Sequence, residues 1–482
     1  MSAARTSGRA ALAVLLFGTA YLPLEEFLLK WAPGGALGYA VFRLAFEALL
    51  YAAVASVAAA RLVRGLRLRA TPIDAPLAAF VALAACSLFL SQGSLVSGLV
   101  NLRVLLRYVA VYYLAAWLEL GALERRRVLS LLLVSAALQG ALGFVQHLQG
   151  GASEFWLPRP ERIEVGGVAR EFAAAHGGLE QGAVIGTTDH SVAFALFLLV
   201  AGTLAGALYL AGAARGRLER ALLGGVLLLA VGGIVFSYVR ACLFALAIAL
   251  VFLAWSERRG APLRRLAPVL LLLAPLGVAA LLLEGGGGVF VREQETRVSP
   301  LASVEALFTS EYLQSAESSR LWVLRDVGGA IARSAGWLGF GPDEEHVKDE
   351  LLRTGGAALH RMIAYRAFED VYWVALLAYY GFLGLAAFLV LLARLGPAAW
   401  RQRAAARDPW ERAAAATLLA LLGVVVPLGF LEPTFDFRTF AFYFWLLAGL
   451  VTVRATPRAS PAPKTNAPPA RAVRPAGAAS PA

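Results

Sequence analysis

The sequence predicts an all-α integral membrane protein of about twelve transmembrane helices, with a helical outer-face loop between the ninth and tenth spans. Three observations predict it. Hydrophobic residues fill 59% of the 482 positions and charged residues only 16%, more apolar surface than a soluble core of this length can take in. Apolar runs of about 20 residues recur along the chain, the length a helix needs to cross a hydrocarbon layer of roughly 30 Å. Basic residues punctuate those runs in alternate short loops, as retention of Lys and Arg on the cytoplasmic side requires. The net charge of +12 is therefore read as membrane orientation and not as a nucleic-acid surface.

In chain order the predicted spans are 10–30, 37–60, 75–93, 102–119, 128–148, 189–213, 219–236, 239–256, 266–284, 371–393, 412–431 and 437–453. The first is followed at once by Glu25, Glu26 and Lys30 without a small-residue cleavage site, so it reads as a retained helix and not a signal peptide. One set of loops carries Arg61, Arg64, Arg67 and Arg69, then Arg125 to Arg127, then Arg215, Arg217 and Arg220, then Arg258, Arg259, Arg264 and Arg265, then Arg401, Arg403, Arg407 and Arg412. Both termini fall on that side, which gives a multi-pass inner-membrane protein with cytoplasmic ends. Residues 1–284 hold nine spans and an outer loop at about 150–188; residues 285–370 form a large outer-face loop; residues 371–454 hold the last three spans.

The large loop is too long for a turn and is expected to fold. Ser319 can cap a helix with apolar positions at Leu321, Leu324 and Ile331, stopped by Gly336 to Pro342. A second surface helix is expected within 346–370. Residues 455–482 are mostly Pro, Ala, Arg and Ser, a disordered cytoplasmic tail. The four glycines Gly285 to Gly288 lack the Lys-Ser or Lys-Thr of a nucleotide loop and read as a flexible exit from the ninth span. Cys86 and Cys242 stand inside apolar runs and read as buried free thiols, with neither a disulfide framework nor a thiolate metal site. No metal spacing surrounds His190 or His360, and no cofactor motif is present.

Ionisable residues at membrane depth are costly and mark function. Arg240, in the junction Phe236-Ser237-Tyr238-Val239-Arg240-Ala241, can bind phosphate or diphosphate oxygens bidentately or can snorkel to lipid headgroups. Arg103 and Arg107, four apart on one helix face, can extend the same anionic site or reach headgroups alone. Arg320 and Arg438 read singly as surface charges. Glu369 and Asp370 precede Val371-Tyr372-Trp373 where the loop re-enters the membrane; they can supply a general base or merely favour the helix N-terminus. Glu25, Glu26, Glu432 and Asp436 are similar end-of-helix carboxylates.

Three segments resemble the O-antigen ligase and polymerase superfamily of bacterial envelope polysaccharide enzymes. Phe236 to Leu243 resembles its Ser-x-x-Arg segment at the start of a long helix. Arg320-Leu321-Trp322 followed by Gly336-Trp337-Leu338-Gly339-Phe340-Gly341-Pro342 resembles its arginine helix ending in a Gly-x-Gly turn. Tyr372 to Leu385, with Gly381 and Gly384, resembles its return helix. The resemblance implies a glycan donor on a polyprenyl diphosphate bound by Arg240 and Arg320, and metal-independent transfer to a hydroxyl of a glycan or glycolipid acceptor. Other polysaccharide export or assembly proteins are partners it also allows. One departure stands out: Glu369-Asp370 occupies the place of the family's His-Asn, so that either a glutamate replaces the histidine as base, or the change marks a subfamily with another acceptor or a member that no longer catalyses. That argues against a ligase acting on lipid A core and for a polymerase of exopolysaccharide or O-antigen repeats.

Two rival readings remain. A transporter or flippase of lipid-linked or anionic solutes also needs intramembrane arginines, but the sequence shows no inverted repeat or broken helix. A non-catalytic scaffold would use the basic loops and tail for docking.

Overall fold

The computed structural model describes residues 2–33, 35–153, 155–156, 163–165, 168–170, 183–257, 323–363 and 368–452. Predictions for Arg320, Ser319, the ninth span, the four glycines and the Pro/Ala-rich tail lie outside the described residues. The chain is a helical, multi-pass membrane protein: among the described residues eight helices are long and apolar enough to cross a bilayer, or nine if one bent pair is a single span.

The first span, Gly8–Leu29, joins α1 (Ser2–Tyr21), a 3-10 turn at Leu22–Leu24 and α2 (Glu25–Leu29). Then follow α3 (Gly35–Val63), α4 (Asp74–Leu90), α5 (Leu95–Leu106), α6 (Val109–Trp117) and α7 (Ala122–Leu148). Strands β1 (Ile163–Val165) and β2 (Val168–Arg170) pair antiparallel, a short hairpin in the loop at 150–188 that an all-α expectation did not include. The chain continues through α8 (Ser191–Leu210), α9 (Arg217–Phe236) and α10 (Arg240–Glu257). In the large loop, a π turn at Val323–Val327 and α11 (Gly328–Ser334) lead to α12 (Glu344–Ile363). The last spans are α13 (Tyr372–Ala405), α14 (Pro409–Leu428) and α15 (Arg438–Thr452).

At the centre stands α8, whose most apolar window is wholly buried, packed by α7, α9, α10, α14 and α15. Nothing in its 20 residues is charged, and Gly202 and Gly206 let α9 and α10 approach to ordinary contact with Leu246, Leu250 and Ala230. Small residues serve α15 in the same way: a Cβ on Gly449 would lie 2.5 Å from the Tyr112 carbonyl oxygen of α6.

The structure corrects several expectations. The third and twelfth predicted spans are shorter than expected, helices of 17 and 15 residues, α4 and α15. The fourth is not continuous but a pair, α5 and α6, bent by 42° at Arg107 and Tyr108. The tenth breaks at Gly381, whose φ of 65° and ψ of −168° leave helical space, and runs on to Ala405. Broken helices are therefore present where none was expected. Cys86 is exposed while Cys242 is buried, because α4 turns Phe80, Ala84 and Ser87 inward and Cys86 to another face.

Other expectations hold. The described basic loops at 121–127 and 401–412 meet at one end of the bundle, through Arg125 and Glu411 at 2.9 Å and Arg126 and Asp408 at 2.8 Å, with Arg403 and Glu257 at 2.9 Å beside them; Arg258, Arg259, Arg264 and Arg265 lie outside the described residues. The start of α1 and the end of α15 point to that end too, since the start of α15 meets the end of the first span through Arg438 and Glu25 at 2.6 Å, and Leu450 near the end of α15 lies beside Arg125. A helix, α12 (Glu344–Ile363), overlaps the range 346–370 where one was expected, with Val347 and Leu351 buried, and Gly336 to Pro342 follows the end of α11.

Candidate functional site

The end opposite the basic loops gathers the ionisable residues that sequence singled out. Two groups form there, joined through one residue.

The first is a buried ion cluster made by α2, α3, α5 and α15. Arg438, at the start of α15, places Nη1 2.6 Å from Glu25 and Nη2 3.2 Å from Glu47, and its Nε donates to the Tyr108 hydroxyl at 2.9 Å. Glu47 also pairs with Arg103 and stands 4.0 Å from Arg107. Arg43 pairs with Glu26 at 3.3 Å, and the Tyr39 hydroxyl donates to the same carboxylate at 2.7 Å. Asp189, just before α8, faces Glu26 and Arg43; burial and the Glu26 charge push its carboxyl up to about 6. Four guanidinium groups thus meet four carboxyl groups in a largely buried cluster that is exposed on the Arg103 side. Breaking one such buried pair costs about 3–5 kcal/mol, because the remaining charge is left uncompensated. The bend between α5 and α6 positions the cluster: it turns Arg107 inward, under 5% exposed, with its guanidinium 5.1 Å from the Tyr108 ring centre.

The second group surrounds Glu369. Its carboxylate accepts a hydrogen bond from the Tyr379 hydroxyl, two turns into α13. Burial, then the charge of Glu344, push the carboxyl up to about 7 against the opposing Tyr379 bond; Asp436 raises it further and Lys348 lowers it. Lys348 of α12 bonds Glu344 at 2.5 Å and Glu345 at 3.0 Å, so α12 brings charges of both signs within electrostatic reach of Glu369.

Asp436 joins the two. Its carboxylate lies within electrostatic reach of Glu369 and of the Tyr372 hydroxyl, and its backbone carbonyl accepts from Arg107 at 3.2 Å. The Tyr372 hydroxyl is buried and has no hydrogen-bond partner among the described residues.

Backbone contacts fix this second group in place. At the Gly381 break, the carbonyls of Ala378 and Tyr379 and the N–H of Leu383 lose their partners within the helix. The turn at 336–341 replaces them: Phe340 N–H donates to Ala378 at 2.8 Å, Gly341 N–H donates to Tyr379 at 3.1 Å, and Leu383 N–H donates to Trp337 at 3.1 Å. The approach admits only glycine, for a Cβ on Gly381 would lie 2.4 Å from the Trp337 oxygen. Asp343 then accepts from Ser94 N–H at 2.6 Å, and Asn101 donates to the Pro342 carbonyl at 2.8 Å, which ties the turn to the start of α5. Two segments singled out separately in the sequence, Gly336 to Pro342 and Gly381 to Gly384, are thus one structural unit beneath Glu369.

Arg240 opens α10 at the same end of the bundle, after a three-residue junction in which Tyr238 adopts φ 59°. A non-glycine residue there costs about 1–2 kcal/mol, and the Ser237 hydroxyl, which accepts from Val239 N–H at 3.3 Å, helps to hold it. Phe236 beside it accepts from Val184 N–H and stacks on His147 at 3.9 Å. Asp370 lies beside Glu369 in the turn before α13. Of the predicted site residues, Arg103 and Arg107 join one cluster, Glu369 anchors the other, Arg240 stands at the same end, and Arg320 is outside the described residues.

Sequence reading missed Arg43, Glu47, Tyr39, Tyr108 and Asp189. The signal was present for two of them: Arg43 and Glu47 stand four apart inside the second apolar run, where any charge is expensive. Among the described residues no three His, Cys, Asp or Glu side chains gather as a metal set would require. Compared with known proteins, no family model matches the chain and no curated protein matches it.

Proposed function

We propose that this chain is a membrane glycosyltransferase resembling the O-antigen ligases and polymerases, which moves glycan from a polyprenyl-diphosphate carrier to an acceptor hydroxyl at the periplasmic face of a bacterial inner membrane. Polymerisation of exopolysaccharide or O-antigen repeats is the preferred version. One observation carries the reading: a carboxyl group tuned to about 7 stands at the same end of the bundle as a cluster of arginines, and Asp436 links the two. Transfer needs both. The acceptor oxygen bonds to the anomeric carbon as its proton passes to Glu369; the bond from that carbon to the diphosphate breaks, and its electron pair leaves with the carrier, whose charge the guanidinium groups receive. Reaction at the outer face needs no nucleotide, since the diphosphate bond brings the energy. Twelve spans with both ends cytoplasmic are the topology this reading carries.

Cells lacking the gene, complemented with wild type or Arg240→Ala, test it. Single repeats accumulating on the carrier with the variant, and long chains with wild type, are expected. Normal polymer from an inserted Arg240→Ala protein overturns the assignment.

A second reading, a transporter of lipid-linked or anionic solutes, is favoured by the breaks at Arg107 and Gly381 beside buried charges. Purified protein given donor and acceptor separates the two, because a transporter forms no new glycosidic bond.

A further inference from the structure

We propose that Glu47 holds the place of a phosphate group: in the empty protein its carboxylate occupies the arginine cluster that receives the diphosphate of the donor. The proposal rests on the donor reading above and adds to it the residues of the phosphate site and the group the ligand must displace.

Glu47 is 2% exposed and reaches three guanidinium groups from two other helices, Arg103 and Arg107 of α5 and its C-terminal cap, and Arg438 of α15. A pairing that served packing alone would match charges one for one at short range. Here one carboxylate is divided among three cations, and it falls short at the third: Arg107 meets it only at 4.0 Å, and Arg107 Nε has no hydrogen-bond partner among the described residues. A carboxylate has two oxygens to offer; a phosphate offers a third and carries more charge, so it suits three guanidinium groups better. Glu25, Glu26, Tyr39 and Tyr108 are committed elsewhere, holding Arg438 and Arg43 in place, so the frame survives when Glu47 lets go. An entrance exists on one side: the Arg103 side chain is 34% exposed while those of Arg107 and Glu47 are 3% exposed. An anion arriving there meets Arg103 first and passes inward along α5 to Arg107, whose Nη2 bonds the Asp436 carbonyl and so faces the Glu369 group.

Ligand and carboxylate compete for the same cations, so affinity falls by the fraction of time the cluster is free. If Glu47 occupies it nine-tenths of the time, removing its charge tightens binding about tenfold. A merely structural Glu47 predicts the reverse, since its loss would loosen the arginines.

The test is binding of farnesyl diphosphate and of inorganic pyrophosphate to wild type and Glu47→Gln, both in phosphatidylcholine nanodiscs, followed by calorimetry. Tighter binding of both probes to a folded, monodisperse Glu47→Gln, by about tenfold, is expected. Equal or weaker binding overturns the proposal, as does absence of binding to either protein. Should Glu47→Gln not fold, Glu47→Asp, which keeps the charge but shortens its reach, decides on the same terms. Discs containing phosphatidylglycerol separate the sources: loss of the difference there assigns the cluster to bilayer headgroups and overturns the donor site. A transfer assay on the same samples keeps the two readings apart, because tighter diphosphate binding without any transfer refutes the glycosyltransferase and leaves the role of Glu47 standing.

Discussion

Glu369 sets the expected pH behaviour at the scale of the residue. Burial and the neighbouring Glu344 and Asp436 raise its carboxyl from 4.5 to about 7, against the Tyr379 bond and Lys348, which favour the ionised form. A base acts ionised, so transfer should rise with pH and reach half its plateau at about 7. Glu369→Gln should remove that limb and lower the rate about 10²–10⁴-fold. Stability runs the other way. A carboxyl raised on folding contributes stability that is fully present below its unfolded value of 4.5 and is lost as pH rises through about 7. Glu369→Gln, which cannot ionise, should therefore raise Tm relative to wild type at pH 8 and much less at pH 4. Equal Tm differences at both pH values, or a rate that ignores pH between 5.5 and 8, would refute a buried base. Glu369 was legible in the sequence because it stands where a loop re-enters the membrane. Asp189 was not: it lies next to His190 at a helix start, the ordinary place for a polar residue, and only folding sets it against Glu26 and Arg43.

At the scale of the element, the break in α13 and the turn that mends it carry the site. Tyr379 and Glu369 meet because the first half of α13 ends at Gly381 and hands its carbonyls to Phe340 and Gly341. Gly381→Ala should undo this. The φ of 65° with ψ near −168° is a glycine conformation that costs other residues about 1–3 kcal/mol, and the added methyl would lie 2.4 Å from the Trp337 oxygen. Alanine favours a continuous helix, which would reclaim the bonds from Phe382 and Leu383 to Ala378 and Tyr379 and expel the turn. Faster amide hydrogen exchange at Phe340 and Gly341 is the expected result, with loss of activity; unchanged protection would show that the turn does not depend on the break. Hydropathy found this segment as a span and could not find the break, since a lone glycine in an apolar run reads as a tolerated helical residue. The bend at Arg107 was hidden for a related reason: no glycine or proline marks it, and the buried pairings of Arg107 and Tyr108 hold it. Most long helices, by contrast, were legible, because the length of an apolar run and the basic residues that bound it are read one segment at a time; α5, which begins at Leu95 and not at 102, was not.

For the whole molecule, the two ends of the bundle are chemically different, and the difference predicts orientation. One end joins its loops by ion pairs such as Arg126 with Asp408, where side chains keep access to water. The other buries Arg107 and Arg438 with their carboxylates, keeps Arg43 half-buried beside them, and sets the charges of α12 within reach of Glu369. Alternation of basic loops assigned them to a common side from sequence alone, and their meeting at one end of the bundle follows from the same pattern. If positive charge is retained inside, α12 and the Glu369 group face the periplasm. Cysteine labelling measures this in a background carrying Cys86→Ser and Cys242→Ala. Arg353→Cys, on α12, replaces a side chain 74% exposed, and Arg407→Cys lies in the exposed loop between α13 and α14. A membrane-impermeant maleimide added to intact spheroplasts should label Arg353→Cys at once and Arg407→Cys only after lysis. The reverse pattern would place the carboxyl base and the arginine cluster at the cytoplasmic face, where nucleotide-activated sugars are at hand. A donor that must first cross the membrane on a polyprenyl carrier would then have no reason to be the substrate, and transfer at the outer face would be refuted with the topology.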